Sequence, residues 1–386
     1  MFTEKTIKEI SNYKTPFYYY DLNLLQKTID IIINESSKYG YHVHYAFKAN
    51  TNKKIISLIQ KNGLGADCVS GNEVKCAIEN NFSNKKIVFA GVGKNDEEIN
   101  YALDNDIFCF NCESTHELEV INELALKKNK IASIALRVNP NVDAHTHKYI
   151  TTGLEENKFG INAHEFDLVI ELLKKLSNLK LIGLHFHIGS QIVDLSPFKK
   201  LCIKVNEINS YFLMKGFDLP IINVGGGVGI NYSNPDEEAI VNFKEYFNLF
   251  NTFLELRKNQ ELHFELGRSI VAQCGSLISK VLYIKNGINT NFVILDAGMT
   301  ELIRPALYQA FHKIENLTAM HKKLPINKKY DVVGPICESS DCFGKAVELA
   351  DTKRGDIIAI RSAGAYGEVM SSRYNLRDEV KSEYSL

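Results

Sequence analysis

The chain has 386 residues and a formal net charge of −1, with 45% hydrophobic and 24% charged residues. These are ordinary values for a folded protein: they exclude wholesale disorder and give no electrostatic reason to expect nucleic acid or an anionic membrane as a partner. No apolar run reaches the roughly 18 residues that a membrane span requires.

The opening segment, MFTEKTIKEISNYK, lacks the apolar centre of a secretory signal and reads as mature sequence. FYYYD (17–21) follows as an extra strand that fits either of two domains. Short apolar strands then alternate with helix-length stretches, at 42–48, 65–69, 86–92, 106–112, 131–138, 181–188, 220–226 and 261–267. In the intervening segments, such as 116–130 and 165–179, apolar residues recur every three or four positions, as in a helix lying on a sheet. Strand alternating with helix predicts parallel β/α units. A closed barrel and an open doubly wound sheet both fit. Eight units within 42–267 approach the usual barrel length of about 250 residues, which favours closure. After 267 the rhythm changes, and 276–285, 291–298, 329–335, 345–350 and 356–364 read as strands with little helix between them. The expected architecture is therefore α/β: an eight-stranded (β/α)8 barrel at 22–267, and a mostly antiparallel β domain made of 1–21 and 268–386.

The eight cysteines read as thiols in a reducing compartment, the cytoplasm. Cys109 and Cys112 form a lone C-x-x-C inside an apolar strand with no second pair nearby, so zinc or redox use is the weaker reading there. No metal is expected.

Catalytic groups of such barrels gather at the carboxyl ends of the strands, with phosphate held after the seventh and eighth. Here the first strand ends in Lys48 and the second near Asp67. The sixth ends in His187 and Ser190, the seventh runs into Gly225, Gly226 and Gly227, and the eighth ends in Glu265 and Arg268. Singly, each has an ordinary explanation: a solvated lysine, a core histidine, a flexible turn. Together they describe a requirement. A lysine for an aldehyde, a glycine loop for phosphate, an imidazole for a ring face and a carboxylate for a pyridinium nitrogen suit pyridoxal phosphate. In the second domain, Arg304 and Tyr308 are four apart and could share a helical face. Cys337, Glu338 and Asp341 lie in a polar loop bounded by glycines, and Tyr366 lies among small residues.

The motifs YAFKAN (45–50), RVNPNVDAHTHKYITTGLEENKFGI (137–161), GLHFHIGSQ (183–191), NVGGGVGI (223–230), ELGRSIVA (265–272), IRPALY (303–308), CESSD (337–341) and GAYG (364–367) carry a resemblance over nearly the whole chain. It resembles the diaminopimelate decarboxylases, fold type III (alanine-racemase-like) pyridoxal-phosphate enzymes. Several motifs are shared with ornithine and arginine decarboxylases; 137–161 and the CES triplet look particular to this family. The resemblance implies a carboxy-lyase of lysine biosynthesis that converts meso-2,6-diaminopimelate to L-lysine and carbon dioxide. It implies cofactor contacts from Lys48, which holds the aldehyde, and from Asp67, His187, Ser190, Gly225, Gly226, Gly227, Glu265, Leu266, Gly267, Arg268 and Tyr366. Substrate contacts would come from Arg268, Arg304, Tyr308, Glu338 and Tyr366, and the catalytic proton from Cys337. The Cys337 loop would serve the neighbouring subunit of a homodimer with shared active sites. There are two departures: Leu266 stands where the family usually has proline, and the tail after Arg373 is short and divergent.

The substrate's far end carries both an amine and a carboxylate, so its recognition calls for a cation and an anion together, which Arg304 and Glu338 supply. The nearest competing reading is a related decarboxylase of ornithine, arginine or carboxynorspermidine. A racemase would need a tyrosine base in place of Cys337, and a non-catalytic relative would be expected to lack Lys48 or Cys337.

Overall fold

The protein is seen in a computed structural model, which describes residues 2–143 and 158–385; the middle of the 137–161 motif, 144–157, lies outside the described residues. Two units are distinguished. One comprises Ile29–Gly229 and Asn242–Gly267, the other Met1–Thr28, Ile230–Val241 and Arg268–Leu386. Residues 22–28 and 230–241 thus group with the β unit rather than with the barrel, unlike the division expected from the sequence.

Strand β1 (Phe17–Tyr20) belongs to the β unit. The next eight are β2 (His42–Ala46), β3 (Gly65–Cys68), β4 (Ile87–Phe89), β5 (Cys109–Cys112), β6 (Ala132–Arg137), β7 (Leu179–His185), β8 (Ile221–Asn223) and β9 (Glu261–Leu266). They pair in chain order into a closed barrel, every pair parallel, so the closed alternative is the one realised. The helices between them start on side-chain caps: the side chains of Asn52, Ser70, Asn95, Ser114 and Asn242 each accept a bond from a backbone N–H of the first turn. Each cap satisfies a donor that helical geometry leaves free. Helix Phe243–Phe253 buries Phe243, Tyr246, Phe247 and Phe250. The last three of these rings pack around Phe264 of β9.

Several expected boundaries shift. The helix expected at 165–179 ends at Leu173, and β7 starts at Leu179 and stops at His185. His187 and Ser190 therefore lie beyond the strand. Lys48, expected as the last residue of the first strand, sits in a 3-10 turn, Phe47–Ala49.

β2 and β9 close the barrel in the register His42↔His263 and His44↔Glu265. At the amino end of this seam His263 stacks on His42 (4.7 Å between centroids), His44 (5.1 Å) and Phe108 (5.5 Å). Burial pushes His44 down to about 4. Burial, followed by His44 and His42, also holds His263 well below its ordinary value. Both imidazoles are neutral near pH 7.

In the β unit, β10 (Gly275–Asn286), β11 (Asn291–Leu295), β12 (Ile314–Asn316), β13 (Ile326–Val333), β14 (Cys342–Ala350), β15 (Ile357–Ile360) and β16 (Lys381–Tyr384) form one sheet with β1. The sheet is mostly antiparallel; β1–β16 and β11–β13 are its parallel pairs. The long β10 is the spine, holding β1 and β15 along its first half and β11 along its second. Ile7, Ile10, Phe17, Tyr19, Ile278, Leu317 and Ile357 form an apolar core in this unit.

Among the described residues no helix is long and apolar enough to cross a membrane. All eight cysteines are free, and burial raises the thiols of Cys109 and Cys112. That environment keeps them protonated, which makes them poor ligands and poor redox partners.

Candidate active site

The carboxyl end of the barrel gathers four of the expected residue types. Tyr45 Oη donates to the Asn50 carbonyl at 2.8 Å, tying down the turn that carries Lys48. Lys48 Nζ lies 3.4 Å from Asp67 Oδ2. Asp67 is fully buried on β3, and its other oxygen has no partner among the described residues. Burial, aided by the negative charge of Glu265 and opposed by Lys48, pushes Asp67 up to about 6.

Glu265, near the end of β9, sits in a cage of donors. Its Oε1 accepts from Asn111 Nδ2 at 3.0 Å and from Asn223 Nδ2 at 2.8 Å, and its Oε2 faces His185 Nε2 at 2.9 Å. Burial alone would raise this carboxyl. The interaction and hydrogen bond with His185, with the charge of Lys48 behind them, outweigh burial and hold Glu265 well below the usual carboxylate range. It is an anion fixed at the mouth of the barrel. His185 Nδ1 is buried without a partner among the described residues.

His187 is held neutral by desolvation, followed by the charges of Lys48 and Arg137. Its Nδ1 accepts the Gly226 N–H at 3.4 Å. Gly225 and Gly227 have φ of +65° and +106°, the left-handed region that favours glycine. A Cβ on Gly226 would lie 1.9 Å from the Glu265 carbonyl oxygen, so the loop is pressed onto the end of β9. Ser190 lies on the turn after β7, half-buried.

These residues fit pyridoxal phosphate. A cleft amine, a fixed anion and a neutral imidazole match its aldehyde, its ring nitrogen and its ring face. Two buried polar atoms, Asp67 Oδ1 and His185 Nδ1, have no partner among the described residues, as suits groups that face a bound cofactor.

The β unit brings together a second group. Tyr232 Oη accepts from Arg268 Nη1 at 2.7 Å and from Arg304 Nη1 at 2.9 Å. Desolvation pushes this phenol up, but the two guanidiniums outweigh it and the net shift is downward. Arg268 also lies over the Tyr366 ring at 4.9 Å, with Tyr366 at a φ of +56°. Arg304 starts the short helix Arg304–Tyr308 and is buried. Its Nη1 also donates to His312 Nε2 at 2.9 Å, and His312 Nδ1 donates to the Arg361 carbonyl. Among the described residues no carboxylate pairs with Arg304. A buried guanidinium held by neutral groups keeps its charge available for an incoming carboxylate.

His312 is a positioning residue for Arg304. Burial, followed by Arg304, pushes it down to about 3. The unfolded chain therefore takes up a proton first on acidification. The stability this imidazole contributes above pH 6.5 is lost as the pH falls from there through about 3. In His312→Gln the urea midpoint should fall less steeply over that window. Mispositioned Arg304 should raise KM about tenfold with kcat little changed. Steady-state kinetics and urea titrations at several pH values measure both.

Cys337 and Glu338 are exposed on the loop before β14. The Cys337 N–H donates to Asn375 Oδ1 at 3.3 Å, and Tyr374 Oη donates to Glu338 Oε1 at 2.9 Å. Asp341 is buried and organises the loop, accepting from the N–H groups of Met299 and Ile336. Among the described residues no ion pair joins Glu338 to Arg304: one is on an exposed loop, the other buried against Tyr232 and His312.

Sequence reasoning missed His185, Asn111, Asn223, Tyr232 and His312. His185 lies two positions before His187 in HFH, and Asn111 and Asn223 are polar residues inside apolar strands. Each was a signal, because a buried polar side chain needs a partner. Tyr232 and His312 carry no local signal.

The family described as "Pyridoxal-dependent decarboxylase, pyridoxal binding domain" matches residues 30–272. The diaminopimelate decarboxylase of Bacteroides thetaiotaomicron is 57% identical over 96% of this chain and 96% of its own length. That of Aquifex aeolicus is 40% identical over 96% of this chain and 87% of its own. The crystal structure of the Helicobacter pylori diaminopimelate decarboxylase complexed with L-lysine superposes with a TM-score of 0.92 at 40% identity, covering 98% of this chain and 93% of that one.

Proposed function

The chain belongs to the diaminopimelate decarboxylase family of pyridoxal-dependent decarboxylases, and from that premise we infer that it is a carboxy-lyase that converts meso-2,6-diaminopimelate to L-lysine and carbon dioxide. The observation that carries the chemistry is the pairing at the barrel mouth: an amine, Lys48, beside buried Asp67, with ionised Glu265 caged nearby.

Bound pyridoxal phosphate supplies an aldehyde for the substrate amine and a ring that accepts the electron pair left at Cα when carbon dioxide departs. The protein's residues do the rest. Lys48 would hold the cofactor through its aldehyde, with Asp67 near it. Glu265 would face the ring nitrogen as an anion, and His187 would lie against the ring. Ser190 and Gly225–Gly227 would hold the phosphate, with Leu266 and Gly267 alongside. Arg268, Tyr366, Arg304 and Tyr308 take up carboxylate, and Glu338 takes the distal ammonium. Cys337 Sγ delivers a proton to Cα.

Cys337 and Glu338 are exposed in the single chain, which suits a loop that serves a partner subunit in a homodimer. Eight unpaired thiols suit the cytoplasm. In Cys337→Ala, turnover should fall by about 10²–10⁴, the usual worth of a positioned general acid, with the visible absorbance of the bound cofactor unchanged. Full product formation would remove the proton-donor role. The substrate is tested by steady-state assays on meso-diaminopimelate, ornithine, arginine and carboxynorspermidine. Diaminopimelate should be strongly preferred, and its negligible turnover would overturn the assignment.

A further inference from the structure

At the ends of β2 and β9 opposite to Lys48 and Glu265, the closing seam carries a second convergence of side chains, which the decarboxylation does not use. His42 Nε2 lies 3.5 Å from Glu261 Oε2, and His263 Nε2 lies 3.4 Å from the same oxygen. All three donor atoms fall within 4.8 Å of one another.

The proton positions follow from a chain of contacts. His44 Nδ1 lies 3.0 Å from the Lys86 carbonyl oxygen. A carbonyl only accepts, so His44 Nδ1 carries the proton and His44 Nε2 is a bare acceptor. His263 Nδ1, 2.8 Å from that acceptor, must therefore be the donor. The remaining nitrogen, His263 Nε2, then turns a lone pair towards a carboxylate oxygen. Two acceptors facing each other repel unless a cation lies between them. The His263 side chain is 5% exposed, so it does not readily supply that charge itself.

We propose that His42, Glu261 and His263 form a zinc-type divalent metal site that clasps the first barrel strand to the last. Two ligands about 2.05 Å from zinc at the tetrahedral angle lie roughly 3.3 Å apart, close to the two spacings observed here. Two imidazoles and a carboxylate are a donor set for zinc and its neighbours rather than for magnesium or calcium. His42 and Glu261 are about half exposed, which leaves the fourth position to water. The supporting shell is in place. The Lys86 carbonyl orients His44, His44 orients His263, and Phe108 stacks on His263 at 8°. Gly65 leaves room for His44, since a Cβ there would sit 2.3 Å from its Nδ1.

The test is calorimetric titration of the cofactor-loaded full chain with zinc chloride in a non-chelating buffer at neutral pH. Wild type should take up one equivalent at this site, with affinity at least tenfold weaker in His42→Ala and in Glu261→Gln. Both residues lie at the surface, and circular dichroism would verify that the variants fold. Zinc should raise the melting temperature of wild type and leave that of the variants unmoved. With cobalt(II) the wild-type spectrum should show no thiolate charge-transfer band. Absence of binding, equal binding by wild type and both variants, or a thiolate band at the equivalent bound would each overturn the proposal.

Discussion

Lys48→Ala is expected to lower turnover by at least about 10³-fold and to abolish the visible absorbance of lysine-bound cofactor. The loss should be chemical rather than structural. Lys48 is partly exposed, with 37% of its side chain accessible, and the group it leaves behind is Asp67. That carboxyl is already pushed to about 6, chiefly by burial, and the lysine's charge is what opposes the rise. Without Lys48 it moves higher still, towards the neutral form that a buried site favours, while Glu265 keeps its hydrogen-bond cage. The variant should therefore fold normally, as judged by its urea midpoint. In wild type, borohydride reduction followed by peptide mapping should put the label on residue 48. A label elsewhere, or substantial turnover in the variant, would refute the role given to this amine.

Glu265→Gln should lower both turnover and stability, and it separates charge from shape. The carboxylate serves Asn111, Asn223 and His185 together. An amide of the same size can keep its oxygen on Asn111 and Asn223 only by turning its NH2 towards His185, which must then carry its proton on the buried, unpartnered Nδ1. The cost should be about 1–3 kcal/mol of stability. A neutral amide also cannot hold a proton on the pyridine nitrogen by its charge. Turnover should fall by about 10²–10³, the scale of losing one preorganised electrostatic group. Cofactor should stay bound through Lys48. The pH signature has a definite sign. Because the folded pKa is depressed, the carboxylate contributes stability above about 4.5 that wild type loses on acidification, and the variant should lack that share. Unchanged kcat would contradict the pyridinium argument.

The barrel was legible because each of its strands is a short apolar run, buried and bounded by a helix-length amphipathic stretch. β12 and β16 were not. Ile314–Asn316 is three residues long, and Lys381–Tyr384 is polar and only partly covered, so neither shows the run or the alternation that marks a strand. Lys48, Asp67, Glu265 and the glycines were found because barrel chemistry collects at strand ends. The cage around Glu265 draws on β5, β7 and β8, and the brace behind Arg304 joins residues 232, 304 and 312. Such groups meet only through tertiary structure, so spacing along the chain does not reveal them. The glycine loop shows a subtler limit. Its sequence suggested an anion cradle, whereas the close contact of Gly226 with β9 already accounts for the missing side chain there.

β1 lies between β10 and β16, and the Ser385 N–H bonds back to the Tyr20 carbonyl. A segment made among the first 20 residues thus waits for neighbours made near residues 275 and 381. During synthesis the barrel strands can all emerge while this N-terminal segment is still unmatched, with both of its hydrogen-bonding edges open. The strand Lys381–Tyr384 is the piece that ends that wait.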